Sequence, residues 1–417
     1  MKRTYLFSAF CGLLLIKTTH AEFNVHRYFA PIWTVEPRAE RKGMLTTEVW
    51  SLHGTTTTGK NSEGKTTNLL NILGPQKMHQ VGRCDIANNV IVDTNNNVLN
   101  QLWNTVPVVD NYAQLEFNGR CSYSGGAFNV AVNFTEKAFI GINVPFYKLA
   151  ITNITWKDIT PEFAQDAAWI QFKNHFDEIL TLNNLSIGPS LAKQVGDMLV
   201  YAGWTINNEA HDQLDFVDFT VRMGVLLGND QKRNIDQVFS FPGGYNGHKG
   251  ILADLNLGIG MNNRIGIDLH AKGIVLFNKN QETRMQTATG QSSFKKLAKG
   301  IANYNPGNIY SVGGAFRIDT FDQVGLVFSY LYNHSQTDKL TPKNSVLFPP
   351  QIINLDPQLS GWSMHTIGAS LDLNFTNYER KFHPRASFHY NYIIKGTRIF
   401  LNNTLGGRLG LTITADF

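Results

Sequence analysis

Charged and imidazole side chains set at alternate positions of apolar runs are the part of this sequence that could do chemistry. Asp254 and Asn256 lie two apart on one run, and Asp268, His270 and Lys272 on the next. The same placement recurs at Asp218 and Arg222, Arg317, Asp372, Arg385 and His389, and Arg408 and Asp416. In an extended strand, positions two apart share a face, so each run presents a charged face opposite an apolar one. Such rows could catalyse, bind a metal or line a path for ions and small solutes.

Catalysis asks for more than these rows offer. His270, His334, His365 and His389 fall on strands and Ser335 follows His334. No serine sits in a nucleophile elbow, and no histidine pair has zinc-like spacing with a third ligand, so no enzyme, metal or cofactor is expected. The run from Gly59 to Thr66 fits the pattern G-x-x-x-x-G-K-[ST] in full. A phosphate-binding loop leaves an apolar strand and opens a helix. Here threonines precede the first glycine, so a flexible polar loop is expected.

The elements that must position the charged rows are strands. From Gly250, the residues Ile251, Ala253, Leu255, Leu257 and Ile259 share one face, with Leu252 the one mismatch. After Met261-Asn262-Asn263, a turn suited to positive φ, Ile265, Ile267, Leu269, Ala271, Val275 and Phe277 repeat the pattern. Each arm of this hairpin is about ten residues, the length that crosses a bilayer as a tilted strand.

The ends of the chain bear on compartment. Met1-Lys2-Arg3, the apolar stretch Tyr5 to Ile16 and Thr19-His20-Ala21 resemble a secretory signal peptide over residues 1–21. Its removal takes Lys2, Arg3 and Lys17, three of the five net positive charges, so a nucleic-acid partner is not expected. Neither this apolar stretch nor any later one is long enough to make a spanning helix. Residues 22–42 are expected to be a periplasmic N-terminal segment and 43–417 the barrel. Of the cysteines that remain, Cys84 and Cys121 could pair in an oxidising compartment and pin the polar loop 54–110.

Strands are expected over 44–53, 112–134, 140–146, 197–205, 214–226, the opening hairpin, 310–318, 324–332, 366–375, 385–395 and 408–417. Apolar phase flips after Ser124-Gly125-Gly126, which predicts a glycine bulge in one long strand. A helix is expected at 160–182, capped by Thr160 with Pro161 at its first position. Trp169, Phe172, Phe176, Ile179 and Leu180 would form its apolar side.

Connections between these strands alternate long and short, and the count comes to about 12. The chain thereby resembles bacterial outer-membrane β-barrel proteins. The final strand, with Leu409, Leu411, Ile413, Ala415 and terminal Phe417, is similar to the signal that such proteins present to the barrel-assembly machinery. The resemblance implies an all-β, antiparallel transmembrane β-barrel of about 12 strands in the outer membrane of a Gram-negative-type bacterium, with long extracellular loops, one holding a short helix. Its partners would be the lipid bilayer and that machinery, and outward apolar strands would also suit a homo-oligomer. Aromatic residues such as Phe316, Phe388, Tyr390 and Tyr392 would face lipid or its interface. An extracellular β-sandwich is the alternative fold.

With the apolar sets outside, the lumen receives both signs of charge. The expectation is a channel or transporter passing small hydrophilic solutes through a narrow, mixed-charge lumen. A closed structural or adhesive barrel is the alternative, and a lipid-modifying enzyme a third reading.

Overall fold

The computed structural model describes residues 27–31, 44–78, 113–211, 214–229, 232–242, 244–262, 264–289, 291, 296, 298–321, 323–375 and 381–414. Twelve of the fourteen strands of its main sheet close into an antiparallel ring, taken in chain order. They are β1 (Met44–Thr56), β2 (Gln114–Asn133), β3 (Ala138–Asp158), β4 (Met198–His211), β5 (Leu214–Leu227) and β6 (Gly250–Met261). The ring continues through β7 (Ile265–Leu276), β8 (Ile309–Phe321), β9 (Val324–Ser335), β10 (Trp362–Asn374), β11 (Phe382–Thr397) and β12 (Thr404–Thr414). The last strand returns to the first, with Met44 opposite Thr414 and His53 opposite Leu405. Closure leaves no unpaired sheet edge, which is what a strand structure needs where water is absent.

Each strand turns one large apolar side chain or more to the outside. Val49, Val132, Ile140, Val200, Phe219 and Ile251 are exposed on the first six, and Leu269, Val312, Phe328, Ile367, Phe388 and Leu409 on the rest. A β-sandwich would bury such faces against a second sheet, so that alternative falls. An apolar belt around a closed barrel is the lipid-facing surface of an outer-membrane protein. The connections at the end that carries Met44 and Thr414 run from two to seven residues, while those at the other end are 22 residues or longer except for 398–403 between β11 and β12. By the rule for such barrels, the short-turn end is periplasmic and the long-loop end extracellular.

The expected glycine bulge at 124–126 is absent. Register with β1 runs unbroken from Leu45 opposite Val132 to Thr56 opposite Cys121, and β3 stays in step through the same residues. What changes is the surroundings. Phe128, Val130 and Val132 point outward at membrane depth, whereas Leu115, Phe117, Cys121 and Tyr123 point inward, above it, into an apolar core. The two glycines serve close approach instead, since a Cβ at Gly126 would lie 2.0 Å from the Trp50 carbonyl oxygen. The irregularity that β2 and β3 do share falls at Asn118/Arg120, facing Asn153 at φ 54°.

The helical segment is two short helices, α1 (Ala167–Asn174) and α2 (Phe176–Leu182), joined at His175. Asp166 caps α1 by accepting from Trp169 N at 2.8 Å. Thr160, expected to be the cap, instead accepts from Gln114 N at 2.9 Å and ties the loop to β2. The apolar side is as expected, with Trp169, Phe172, Phe176, Ile179 and Leu180 all buried. Gly59 to Thr66 forms a small hairpin, Thr58–Lys60 against Thr66–Asn68, whose turn is held by Asn61 Oδ1 accepting from Glu63 N and Lys65 N at 3.0 Å. A 3-10 turn, Leu69–Asn71, follows in place of the helix that a phosphate loop requires.

Candidate functional site

Inside the ring, side chains sort into three layers from the periplasmic end upward. The lowest is a charged belt. Arg222 on β5 donates to Asp254 Oδ1 on β6 at 2.9 Å, and His270 Nε2 on β7 lies 3.2 Å from Asp254 Oδ2. Lys272 stands opposite Asp254 in register, and Asn256 opposite His270. Asp218 and Asp268 flank Gly258 on the two neighbouring strands. Across the ring, Arg408 sits 3.5 Å from Glu48 and 3.9 Å from Asp372, while Arg385 donates to Thr412 Oγ1 at 3.4 Å. Arg317 pairs with Asp319 at 2.8 Å, and the His389 ring is 6.0 Å from that of Trp50. Among the residues expected to line the lumen, the structure thus joins Arg222, Asp254 and His270 in one group and Asp372 and Arg408 in another.

The belt is packed. Arg222, Asp254, Asn256, Asp268, His270, Lys272, Arg385, His389 and Arg408 are each no more than 8% exposed. Aromatic rings laid over glycines fill the β3 to β6 side. A Cβ at Gly203 would lie 2.1 Å from the Phe139 ring, and one at Gly260 would lie 2.2 Å from Phe216. Glu48 and Trp50 complete the belt and were missed from sequence because the alternation of β1 is imperfect. The usable signal was Glu48 itself, an acid alone among apolar and Thr neighbours.

Above the belt lies an apolar collar. Leu252, Ile274 and Ile309 form one rung across β6, β7 and β8, directly over the rung Asp254, Lys272 and Ser311. Leu252, the mismatch in the hairpin pattern, faces inward here and belongs to a cluster with Leu226, Leu276, Trp362, Met364 and Ile393.

The mouth is filled from the loops. Leu69, Leu70 and Ile72 from one loop, both helices, and Val238, Phe239 and Phe241 from another pack on Leu115, Phe117 and Tyr123 of β2. Residues 27–31 join them, which differs from the periplasmic placement expected for 22–42. Ala30 N donates to Asn402 O at 3.0 Å, Phe400 N donates to Arg27 O at 2.8 Å, and Phe29 stacks on Tyr123 at 4.0 Å. Pro31 and Met44 therefore lie at opposite ends of the barrel. Cys84 is outside the described residues, and Cys121 is buried with Sγ 4.0 Å from Asn402 Nδ2. Leu409, Leu411 and Ile413 alternate outward on β12, while Ala415, Asp416 and Phe417 are outside the described residues.

Between the plug and the far wall remains a cavity of about 360 Å³. Its apolar wall includes Tyr28, Phe241, Tyr245, Leu276, Ile309 and Trp362, and its charged wall includes Arg27, Lys232, Arg233, Arg284, Lys296 and Asp338. Arg284 and Lys296 are engaged. Arg284 donates to Asp236 Oδ1 at 2.6 Å and to Asn183 O at 3.0 Å, and Lys296 pairs with Asp356. Asp338 accepts from Gly307 N at 2.7 Å and from the Tyr304 hydroxyl. Burial pushes the Asp338 carboxyl and the Tyr304 phenol up, and it lowers Arg233 and Lys296. Burial also takes His248, at the rim, down to about 4. None of these loop residues was legible as a site, although the aromatic run Phe239-Ser-Phe-Pro in an otherwise polar loop was a signal for inward packing.

No family model matches the chain, and no curated protein does. Among solved structures, the COG4313 outer membrane channel from Pseudomonas putida F1 superimposes at TM-score 0.50 over 91% of this chain and 100% of that one, with 8% identity. The chain has the outer-membrane β-barrel fold. The β domain of the Bordetella autotransporter Brka matches at TM-score 0.34 and 9% identity, over 90% of this chain and 100% of that one. A Pseudomonas aeruginosa FadL homologue matches at TM-score 0.26 and 10% identity, over 90% of each chain. In this barrel the filled mouth, collar and belt stand between the extracellular cavity and the periplasmic end.

Proposed function

We propose that the protein is an outer-membrane channel or transporter for small molecules, entered through the mouth cavity and closed at rest by loop segments. The observation that carries this is the make-up of the obstruction. Above the belt the interior is closed mainly by residues 27–31, which precede β1, and by 69–72, 167–185 and 238–241 of the loops, none of them part of the ring. Segments held by apolar contacts and a few hydrogen bonds can swing aside without breaking the ladder that closes the barrel. The Pseudomonas putida barrel of the same fold is an outer membrane channel, which supports the reading. The mixed-charge belt then acts as the narrow zone that a solute crosses last, and the alternating end of β12 as the strand shown to the assembly machinery.

Single-channel recording in a planar bilayer tests this. Wild type should show long closures, and Tyr28→Ala/Phe29→Ala, which strips the anchors of residues 27–31 from Phe241, Phe400 and Tyr123, should raise the open fraction. Silence of both proteins at every voltage, together with no solute leakage from liposomes, would favour the closed structural barrel. The packing of the belt is the observation on that side.

A further inference from the structure

We propose that the mouth cavity is a binding site for a small organic carboxylate, its charge held by Arg27 and Arg233 and its apolar body by the aromatic wall. This deepens the channel reading by naming the class of molecule that would enter, and rests on it only for transport, since binding can be measured without conduction.

Lys232 and Glu282 of the lining are exposed to solvent, and charge accounting over the remaining cations of the cavity isolates the two arginines. Lys296 has Asp356 and Arg284 has Asp236. Among the described residues, Arg27 and Arg233 have no carboxylate at ion-pair distance. Arg27 donates only to Gln358 O, at 3.4 Å, and Arg233 to Val238 O, at 3.3 Å. Arg233 Nε is enclosed and has no acceptor. Asp338, the acid beside them, is occupied by Tyr304 and Gly307. A guanidinium enclosed by protein without a counter-charge is costly, and a planar carboxylate is the partner that its fork of donors fits.

The rest of the cavity selects the body. Tyr28 leads on from Arg27 and packs at 4.9 Å from Phe241, with Tyr245 and Trp362 also on the wall. Aromatic faces pack well on an apolar ring or chain. The volume of about 360 Å³ is at the low end for small-molecule sites, about 300–1,000 Å³, so one ring or a short chain fits and an oligosaccharide does not.

The test uses the full-length protein in detergent, with intrinsic tryptophan fluorescence reporting through Trp362. Benzoate and hexanoate are the probes, and benzyl alcohol, benzylamine and inorganic phosphate the controls. Both carboxylates should saturate the signal, with benzyl alcohol and phosphate weaker by about ten-fold or more. Arg27→Gln and Arg233→Gln should each weaken benzoate by about ten-fold while leaving benzyl alcohol unchanged, provided the variant keeps its heat-dependent gel shift. Arg233→Lys serves if Arg233→Gln does not fold, and should weaken benzoate less than Arg27→Gln does. Equal affinity for benzoate and benzyl alcohol, preference for benzylamine, or unchanged benzoate binding in Arg27→Gln would overturn the proposal. A silent bilayer recording with intact benzoate binding would remove the channel and leave the site.

Discussion

Replacing Asp254 by Asn removes the acid that holds Arg222 and His270 together, and so asks whether the belt is wet or packed. At 2.9 Å and an effective dielectric of about 20, the attraction between Arg222 and Asp254 is about 6 kcal/mol before desolvation is counted. Asparagine keeps one acceptor for Arg222 but no charge, so the guanidinium stays buried with its compensation reduced. Arg222 and Asp254 are 4% and 5% exposed, and breaking a pair so enclosed costs about 3–5 kcal/mol. That is about two to four decades in the folding equilibrium. A hydrated pair would cost only about 0–1 kcal/mol.

Urea unfolding of the barrel in lipid vesicles, followed by tryptophan fluorescence, measures the difference. Asp254→Asn should lower the midpoint strongly, and Asp254→Leu/Arg222→Met should recover much of the loss, because removing both charges leaves neither one stranded. Reversal potentials on the same variant supply the second readout. A loss under about 1 kcal/mol accompanied by a shift in ion selectivity would refute the packed belt and show a water-filled lumen instead.

Other outcomes follow from the same packing. Phe139→Ala uncovers Gly203 and leaves a void against Tyr201, and should cost about 3–5 kcal/mol in the same unfolding assay. Trp169→Ala, at a side chain with no exposure, should cost about 3–5 kcal/mol in loop docking, read by proteolysis of the 159–197 connection while the heat-dependent gel shift of the barrel persists. The Asp338 carboxyl is raised by burial, so its stabilising contribution is full below the ordinary carboxylate range and is lost as pH rises through the raised value. Mouth-loop protection from protease should therefore fall with rising pH in wild type, and Asp338→Asn, which stays neutral, should flatten that dependence.

The strands were legible because lipid and lumen impose opposite demands on alternate residues, and period-two alternation survives in β5 to β8 with hardly an exception. The twelve-strand count and the inward rows at Asp254, Asp268, His270 and Lys272 rest on that alternation. Where the interior itself turned apolar, the same rule misled. Leu252 looked like a defect and is part of the collar, and Leu115, Phe117 and Cys121, the apolar set ahead of the expected glycine bulge, are on the inner face. The cavity residues were not legible at all. Arg27, Arg233 and Asp338 come from the segment before β1 and from two connections far apart in the chain, and nothing in their spacing says that packing brings them together.

The phase changes mark a depth. On neighbouring strands, Val49 and Phe128 pair in register facing outward, and the next pair up, Trp50 and Ala127, faces inward and is buried. On β3 the change falls between Phe146, exposed, and Tyr147, buried. Across the ring it falls between the Asp254, Lys272, Ser311 rung and the Leu252, Ile274, Ile309 rung above it. At about that level the outer wall changes as well, with Tyr310 opposite His334 and Tyr332 opposite His365, the mix of aromatic and polar groups that suits a headgroup region. Below the level, lipid outside allows a polar interior; above it, water outside demands an apolar one. A single closed sheet thus carries two interiors of opposite character, and the cavity sits in the upper one, where an apolar core built by loops can be rearranged while the ladder around it stays whole.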